Sequence, residues 1–464
     1  MPNDTTHEDT IAAIATPAGR AGIGIIRISG DRAREIAGKI FQPKKPFETF
    51  ISHRLYLGYL IDPASGDMVD EALLSFMKSP HSYTREDVVE INAHSGHLVL
   101  SRILQIIIDQ GVRLAKPGEF TFRAFMNGRI DLTQAEAIVD LINSKSERGL
   151  HLATRQISGR FRSQIESLRE KVLSLLAQIE AAIDFPEEGA GIFPRENNIA
   201  RVVTELLEPI KRIIASHTQR KVWVEGLSTV IVGRVNAGKS SLLNRLLNER
   251  RAIVTSTPGT TRDIIESTIH IDGLPLKLID TAGFRKVRGK VERIGLRLTR
   301  EKLAQADLSL IVIDRGRPLN RDDMNILAKS RPESSIIALN KMDLPLGLDE
   351  EEFSRMAQGR KVVKISALTG QGIEDLRRAV LDLVLGSDRD TMSSDIIPNL
   401  RHKKAFESAF GFFKSAVQNM EENLPLEIIA MDLNSGLEAL GEVIGATTNE
   451  ELLDRIFSQF CLGK

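Results

Sequence analysis

Eight residues near the middle of the chain restrict its fold more than any others: Gly233-Arg234-Val235-Asn236-Ala237-Gly238-Lys239-Ser240. They fit the pattern GxxxxGK[ST] and follow directly on the apolar, strand-like run Thr229–Val232. The glycines permit a turn whose backbone N–H groups converge on one point, and a helix starting after them adds its positive end. The motif therefore asks for a buried strand running into a helix. The residues around it agree. From about Leu227 to Leu385, apolar runs at Ser228–Val232, Leu276–Ile279, Leu308–Ile313, Ser335–Leu339 and Lys361–Ile365 alternate with helical stretches. That alternation predicts a parallel sheet covered by helices.

A chain of 464 residues is too long for a single ordinary core, and the flanks of this segment have their own texture. Residues 1–125 read as a small α+β domain, with strands at Ile23–Ile28 and Asp87–Ile91 and a helix at Leu98–Asp109. Residues 126–222 turn helical. Phe161, Ile165, Leu168, Val172, Leu175 and Ile179 step by four and three along one stripe, and Asp184-Phe185-Pro186 ends it. Residues 387–464 offer matching stripes, one through Phe406, Phe410, Phe413 and Val417 and one through Leu452, Leu453, Ile456, Phe457 and Phe460. Each helical block alone would leave its stripe uncovered. The expected architecture is thus multidomain. An α/β P-loop domain, residues 223–386, is inserted in a discontinuous all-α domain, and an α+β domain precedes both.

The strand ends in the inserted segment carry the chemistry. Ala237, Gly238, Lys239, Ser240 and Ser241 would cradle phosphates, with Lys239 reaching the terminal ones and the Ser240 hydroxyl binding Mg²⁺. Asp280-Thr281-Ala282-Gly283 follows the strand Leu276–Ile279; a carboxylate there can hold a water of the Mg²⁺ shell, and Gly283 can turn its N–H to the γ-phosphate. Asn340-Lys341-Met342-Asp343 decides the base. Asp343 can accept from guanine N1–H and the 2-amino group, whereas adenine would leave the carboxylate unpaired at a cost of several kcal/mol. Ser366-Ala367-Leu368 would support the base with a backbone N–H. GTP is the expected nucleotide.

Composition bounds the partners. Lys+Arg and Asp+Glu both number 62, so no bulk field attracts polyanions, and DNA is not an expected partner. The single cysteine, Cys461, excludes an intrachain disulfide, and neither a basic secretory n-region nor an apolar run long enough to span a membrane is present. A cytoplasmic chain without membrane attachment is expected.

With these motifs placed, the inserted segment resembles the Era group of GTPases, and the whole chain resembles the MnmE (TrmE) family of tRNA-modifying GTPases within it. The resemblance lies in Thr255-Ser256-Thr257-Pro258-Gly259-Thr260-Thr261-Arg262-Asp263, which looks like the group's first switch, and in the terminal Cys461-Leu462-Gly463-Lys464. It also lies in Ala15-Thr16-Pro17-Ala18-Gly19-Arg20, Ile25–Gly30, Pro117-Gly118-Glu119-Phe120 and Asn127–Glu136. It implies an enzyme that hydrolyses GTP and acts on the wobble uridine of tRNAs with a flavoprotein partner, MnmG, in a heterotetramer, with FAD on the partner. It implies a one-carbon unit from a tetrahydrofolate, the 5,10-methylene form, bound by residues 1–125 with Arg27, Glu90, Arg129 and Lys464 lining the site. Two positions depart from the usual pattern: Arg129, where Lys also occurs, and Ser95, where a second Gly is usual. Cys461, beside that site, is either a packed side chain or a direct participant in carbon transfer.

The resemblance also implies how GTP is cleaved. Phe284 stands where Ras-like enzymes place a water-orienting Gln, and a phenyl ring cannot orient water. Asn236 with Thr255, Thr257 and Thr260 would hold K⁺ beside the phosphates, Thr261 would join Ser240 on Mg²⁺, and Glu292 would orient the attacking water, with Lys239 assisting. The K⁺ site closes when two such domains meet, so a homodimer is implied. A plainer reading makes Asn236 a loop-stabilising residue and Glu292 a surface charge, with Arg262, Arg285 or Arg288 supplying a finger. A different function on the same P-loop domain is a GTP-gated RNA or ribosome assembly factor; no basic RNA-binding appendage favours it.

Overall fold

The computed structural model describes all residues except 1–8, 18, 20, 188, 249–266, 280–302, 304–305, 358, 387–396 and 447–449. The chain divides into two compact units, Met1–Val139 with Gln156–Ile210 and Lys404–Lys464, and Asp140–Arg155 with Lys211–Lys403.

The first unit contains a seven-stranded sheet in the order β3-β4-β5-β6-β2-β1-β7. Its strands are β1 (Ile11–Ile14), β2 (Ile23–Ser29), β3 (Phe41–Pro43), β4 (Arg54–Ile61), β5 (Met68–Met77), β6 (Val88–His94) and β7 (Arg113–Leu114). Alternation sets the faces: Ile26 and Ile28 of β2 and Val89, Ile91 and Ala93 of β6 are buried, while Arg27 and Glu90 fall on the opposite face. Helices Ala33–Ile40 and His97–Asp109 contribute Ile36, Ile40, Ile103 and Ile107 to the same apolar cluster. In the antiparallel register of β2 and β6, Arg27 lies directly opposite Glu90.

The helical part of this unit is built on the expected stripe. Helix Arg160–Asp184 buries Phe161, Ile165, Leu168, Val172, Leu175 and Ile179, and ends where Phe185-Pro186 begins. It packs on helix Leu426–Ile444, and Phe161 lies 6.1 Å from Phe406 between ring centroids. Burying each such side chain contributes roughly 1.5–3 kcal/mol. Helix Glu450–Phe457 carries the chain back to the first domain, with Phe457 against Phe122 at 5.2 Å and Phe460 stacked on Phe457 at 5.6 Å.

The second unit holds a six-stranded sheet in the order β13-β12-β11-β8-β10-β9. The strands are β8 (Leu227–Val232), β9 (Ser267–Ile271), β10 (Leu274–Leu278), β11 (Leu308–Asp314), β12 (Ser335–Asn340) and β13 (Lys361–Lys364). Every residue of β11 and β12 is buried, which explains their unbroken apolar runs. The sheet is not wholly parallel as expected. Strand β9 runs antiparallel to β10, joined through Asp272-Gly273, both at positive φ (47° and 83°). Such a two-residue turn matches the twist of a hairpin. The other pairings are parallel, so β8, β11, β12 and β13 all end on one edge of the sheet. Among the described residues no helix is long and apolar enough to cross a membrane.

Candidate functional site: a nucleotide cradle and a second polar cluster

Four loops leave that common edge, and side chains tie them together. The loop after β8 leads into helix Lys239–Asn248. Within it Asn236 and Gly238 adopt positive φ, 65° and 100°. A Cβ on Gly238 would lie 2.1 Å from the Asn340 amide nitrogen, so the loop passes against the end of β12 with no room to spare. The contact is bonded. Asn340 Nδ2 donates to the Ala237 carbonyl at 2.9 Å, and Asn340 Oδ1 accepts from the Ala367 N–H at 2.9 Å. One buried amide thus joins the phosphate loop, the end of β12 and the loop after β13. In that last loop the Ser366 hydroxyl donates to Asp343 Oδ1 at 2.5 Å, fixing the carboxylate expected to read the base.

Lys239 turns its ammonium into the loop, donating to the carbonyls of Gly233 and Arg234 at 2.8 Å each. Burial lowers its pKa, and the charge of Asp323 offsets this only in part. A half-buried cation of this kind favours an anion beside it. Arg234 is pinned by Asp323 at 3.2 Å and by the Pro318 carbonyl at 2.9 Å. Lys341 donates to Asp314 at 2.7 Å. Burial pushes Asp314 up, but Lys341 and the Gly316 N–H outweigh it and hold the carboxyl low. The exposed Ser240 hydroxyl and Asn236 side chain have no protein partner among the described residues. Hydroxyl and amide oxygens are ligands that fit hard cations.

The expected residues Thr255 to Thr261, Asp280 to Gly283 and Glu292, with Phe284, Arg262, Arg285 and Arg288, lie outside the described residues. Asn236 to Ser241, Asn340, Lys341, Asp343 and Ser366 to Leu368 do stand together at the sheet edge. Arg245, which ties this edge to the phosphate-loop helix, had no motif to announce it.

A second polar cluster lies on the first unit's sheet. Arg27 Nε donates to Glu90 Oε1 at 2.8 Å, and its NH1 donates to the Gly463 carbonyl at 3.1 Å. Gly463, at φ +87°, sits so close to β1 that a Cβ would meet Ile14 O and Ala15 Cα at 2.6 Å. The chain's last residues are thereby seated beside the Arg27–Glu90 pair. Tyr83, not anticipated from sequence, orders the cations: Arg27 lies 5.3 Å and Arg129 4.8 Å from its ring centroid, and Arg129 donates to its carbonyl at 3.1 Å. Lys464 follows directly on Gly463, and Cys461 is exposed and free. Two arginines, a carboxylate and a terminal lysine form a donor and acceptor set that fits a ligand carrying both paired N–H donors and carboxylates. His94 ends β6 and His97 opens the helix that follows. Among the described residues no group of three or more His, Cys, Asp or Glu side chains is placed to hold a metal ion.

Comparison with known proteins covers the entire arrangement. A family model described as the MnmE helical domain matches residues 132–461, and one described as the GTP-binding protein TrmE N-terminus matches residues 10–129. The tRNA modification GTPase MnmE of Thermoanaerobacter pseudethanolicus is 44% identical over 98% of this chain and 99% of its own length. The protein of that name from Moorella thermoacetica is 46% identical over 98% of this chain and 100% of its own. That from Geobacillus thermodenitrificans is 43% identical over 99% and 100%.

Proposed function

This chain belongs to the MnmE family of tRNA modification GTPases, and from that premise we propose how its residues divide the work. It is a GTPase acting in tRNA modification. The reading rests above all on the Asn340 amide, which joins the phosphate loop to the base-reading loops through two hydrogen bonds of 2.9 Å. Bound GTP is gripped at both ends by loops that Asn340 ties together. Ala237, Gly238, Lys239, Ser240 and Ser241 hold the phosphates; Asn340, Lys341, Asp343, Ser366, Ala367 and Leu368 hold guanine; Asp280 would hold a water of the Mg²⁺ shell and Gly283 would turn its N–H to the γ-phosphate. Ser240 and Thr261 would hold Mg²⁺, and Asn236, Thr255, Thr257 and Thr260 would hold K⁺. Bound there, the two cations offset charge on the β- and γ-phosphates. Glu292 orients the attacking water. The K⁺ site implies that two GTPase domains meet, hence a homodimer.

The second cluster is the proposed folate site. Glu90 accepts the paired N–H donors of a pterin, Arg27 holds Glu90 in place, and Arg129 and Lys464 meet the folate's carboxylates. When bound, a 5,10-methylene tetrahydrofolate supplies the one-carbon unit. The proposed product is a C5 aminomethyl or carboxymethylaminomethyl group on the wobble uridine of tRNA, made together with the flavoprotein MnmG, which carries the FAD. The test is wobble-uridine modification in a strain lacking this gene, read by nucleoside mass spectrometry. Restoration by the wild-type chain and failure by a Glu90→Ala chain is the expected result; full modification without the gene would refute the reading.

A further inference from the structure

Helix Lys239–Asn248 carries, six residues beyond Lys239, an arginine that reaches across to the loop after β13. Arg245 Nε donates to the Ala367 carbonyl at 3.3 Å, and its NH2 donates to the Leu368 carbonyl. Gly370, at φ +91°, faces the same guanidinium, 3.7 Å from where its Cβ would be. One planar fork therefore grips two successive peptide groups. In a planar trans peptide the N–H points opposite to the carbonyl. Drawing the Ala367 carbonyl toward the helix turns the Leu368 N–H away from it, and that N–H has no acceptor among the described residues. Drawing in the Leu368 carbonyl likewise aims the Thr369 N–H, which donates to Ser366 Oγ at 3.2 Å. Ser366 Oγ in turn donates to Asp343 Oδ1 at 2.5 Å.

We propose that Arg245 is a positioning residue for base recognition: by holding the Ala367 and Leu368 carbonyls it aims the Leu368 N–H at guanine O6 and steadies Ser366 under Asp343. An N–H fixed in that direction favours an oxygen at purine C6 and opposes the amino group of adenine. The inference rests on the assignment of Ser366, Ala367 and Leu368 to the base. It adds that the phosphate-loop helix, through one side chain, sets the geometry of base reading.

The experiment uses the full-length protein with Arg245→Met, which keeps the apolar stem, and Arg245→Lys, which keeps one cationic donor. Dissociation of a fluorescent GDP is followed by stopped flow, and affinities for GDP, 6-thio-GDP and ADP by competition. Loss of the fork should speed GDP dissociation in Arg245→Met about tenfold and shrink its preference for GDP over 6-thio-GDP at least about threefold, with Arg245→Lys between. A helix-stabilising role alone would weaken both nucleotides equally and leave that preference at its wild-type value. An unchanged preference or an unchanged dissociation rate overturns the role of Arg245. A wild-type protein that does not distinguish GDP from ADP overturns the base-site assignment beneath it.

Discussion

Replacing Gly238 by alanine tests the join between the loops directly. The residue sits at φ +100°, and its Cβ would fall 2.1 Å from Asn340 Nδ2. Asn340 has little freedom to yield, being 2% exposed and bonded on both sides of its amide. Left-handed backbone on a residue with a Cβ costs about 1–2 kcal/mol. Displacing Asn340 breaks two buried hydrogen bonds worth about 1 kcal/mol each. The total, about 3–4 kcal/mol, corresponds to nucleotide affinity weakened by roughly two to three orders of magnitude. The assay is equilibrium titration of a fluorescent GDP into full-length Gly238→Ala protein, with thermal unfolding to establish that the chain is folded. The Gly238→Ala/Asn340→Ala double variant sharpens the test. With the amide already gone, the clash disappears and only backbone strain remains, so the two losses should fall short of additive. Affinity within threefold of wild type in a folded Gly238→Ala protein, or full additivity in the double variant, would refute the reasoning.

Three further outcomes follow from the same structure. Replacing Na⁺ by K⁺ should raise GTP turnover at least about tenfold if Asn236 and its partners hold a cation beside the phosphates, and equal rates in the two salts would contradict that site. Gly463→Ala should unseat the terminal residues, because the clash is with β1 backbone at 2.6 Å; tetrahydrofolate affinity by calorimetry should fall about tenfold, and an unchanged value would separate the tail from the site. Acid should weaken the first unit through Glu119. Burial raises its pKa, but the Arg113 hydrogen bond and its companions outweigh this and hold it below the ordinary 4.5. The contribution is complete above that pH and lost as pH falls through the depressed folded value, so Glu119→Gln should flatten the acid limb of stability. Urea midpoints from about pH 3 to 7 that fall as steeply in the variant would refute it.

What the sequence disclosed and what it withheld divide along contact range. The phosphate loop, Asn340 to Asp343 and Ser366 to Leu368 are legible because each is a local string with its own turn and charge chemistry. The helical stripe through Phe161 and Ile179 is legible because burial on one face repeats with the helix period. Most of the seven-stranded sheet was not. Strand β4 leaves Leu55 and Leu57 exposed beside the buried Tyr56 and Leu60, so apolar alternation is blurred there. Strand β9, Ser-Thr-Ile-His-Ile, has only Ile269 and Ile271 as apolar residues and so lacks the unbroken run that marks the parallel strands, although Asp272-Gly273 is a recognisable hairpin turn. Arg245 and Tyr83 act only across long sequence separations, 122 residues from Arg245 to Ala367, and no local pattern reports such partners.

Helices Arg160–Asp184 and Leu426–Ile444 cover each other's apolar faces, yet about 240 residues of chain separate them. During synthesis at about 5–20 residues per second, the first helix waits roughly 10–50 seconds for its complement to emerge. The intervening nucleotide domain has its own core and can fold during that delay, bringing the two severed halves within reach of each other. Ligand-assisted folding of the insert would thereby hasten the pairing of the two helices, and the nascent chain up to that moment is a natural client for holdase chaperones.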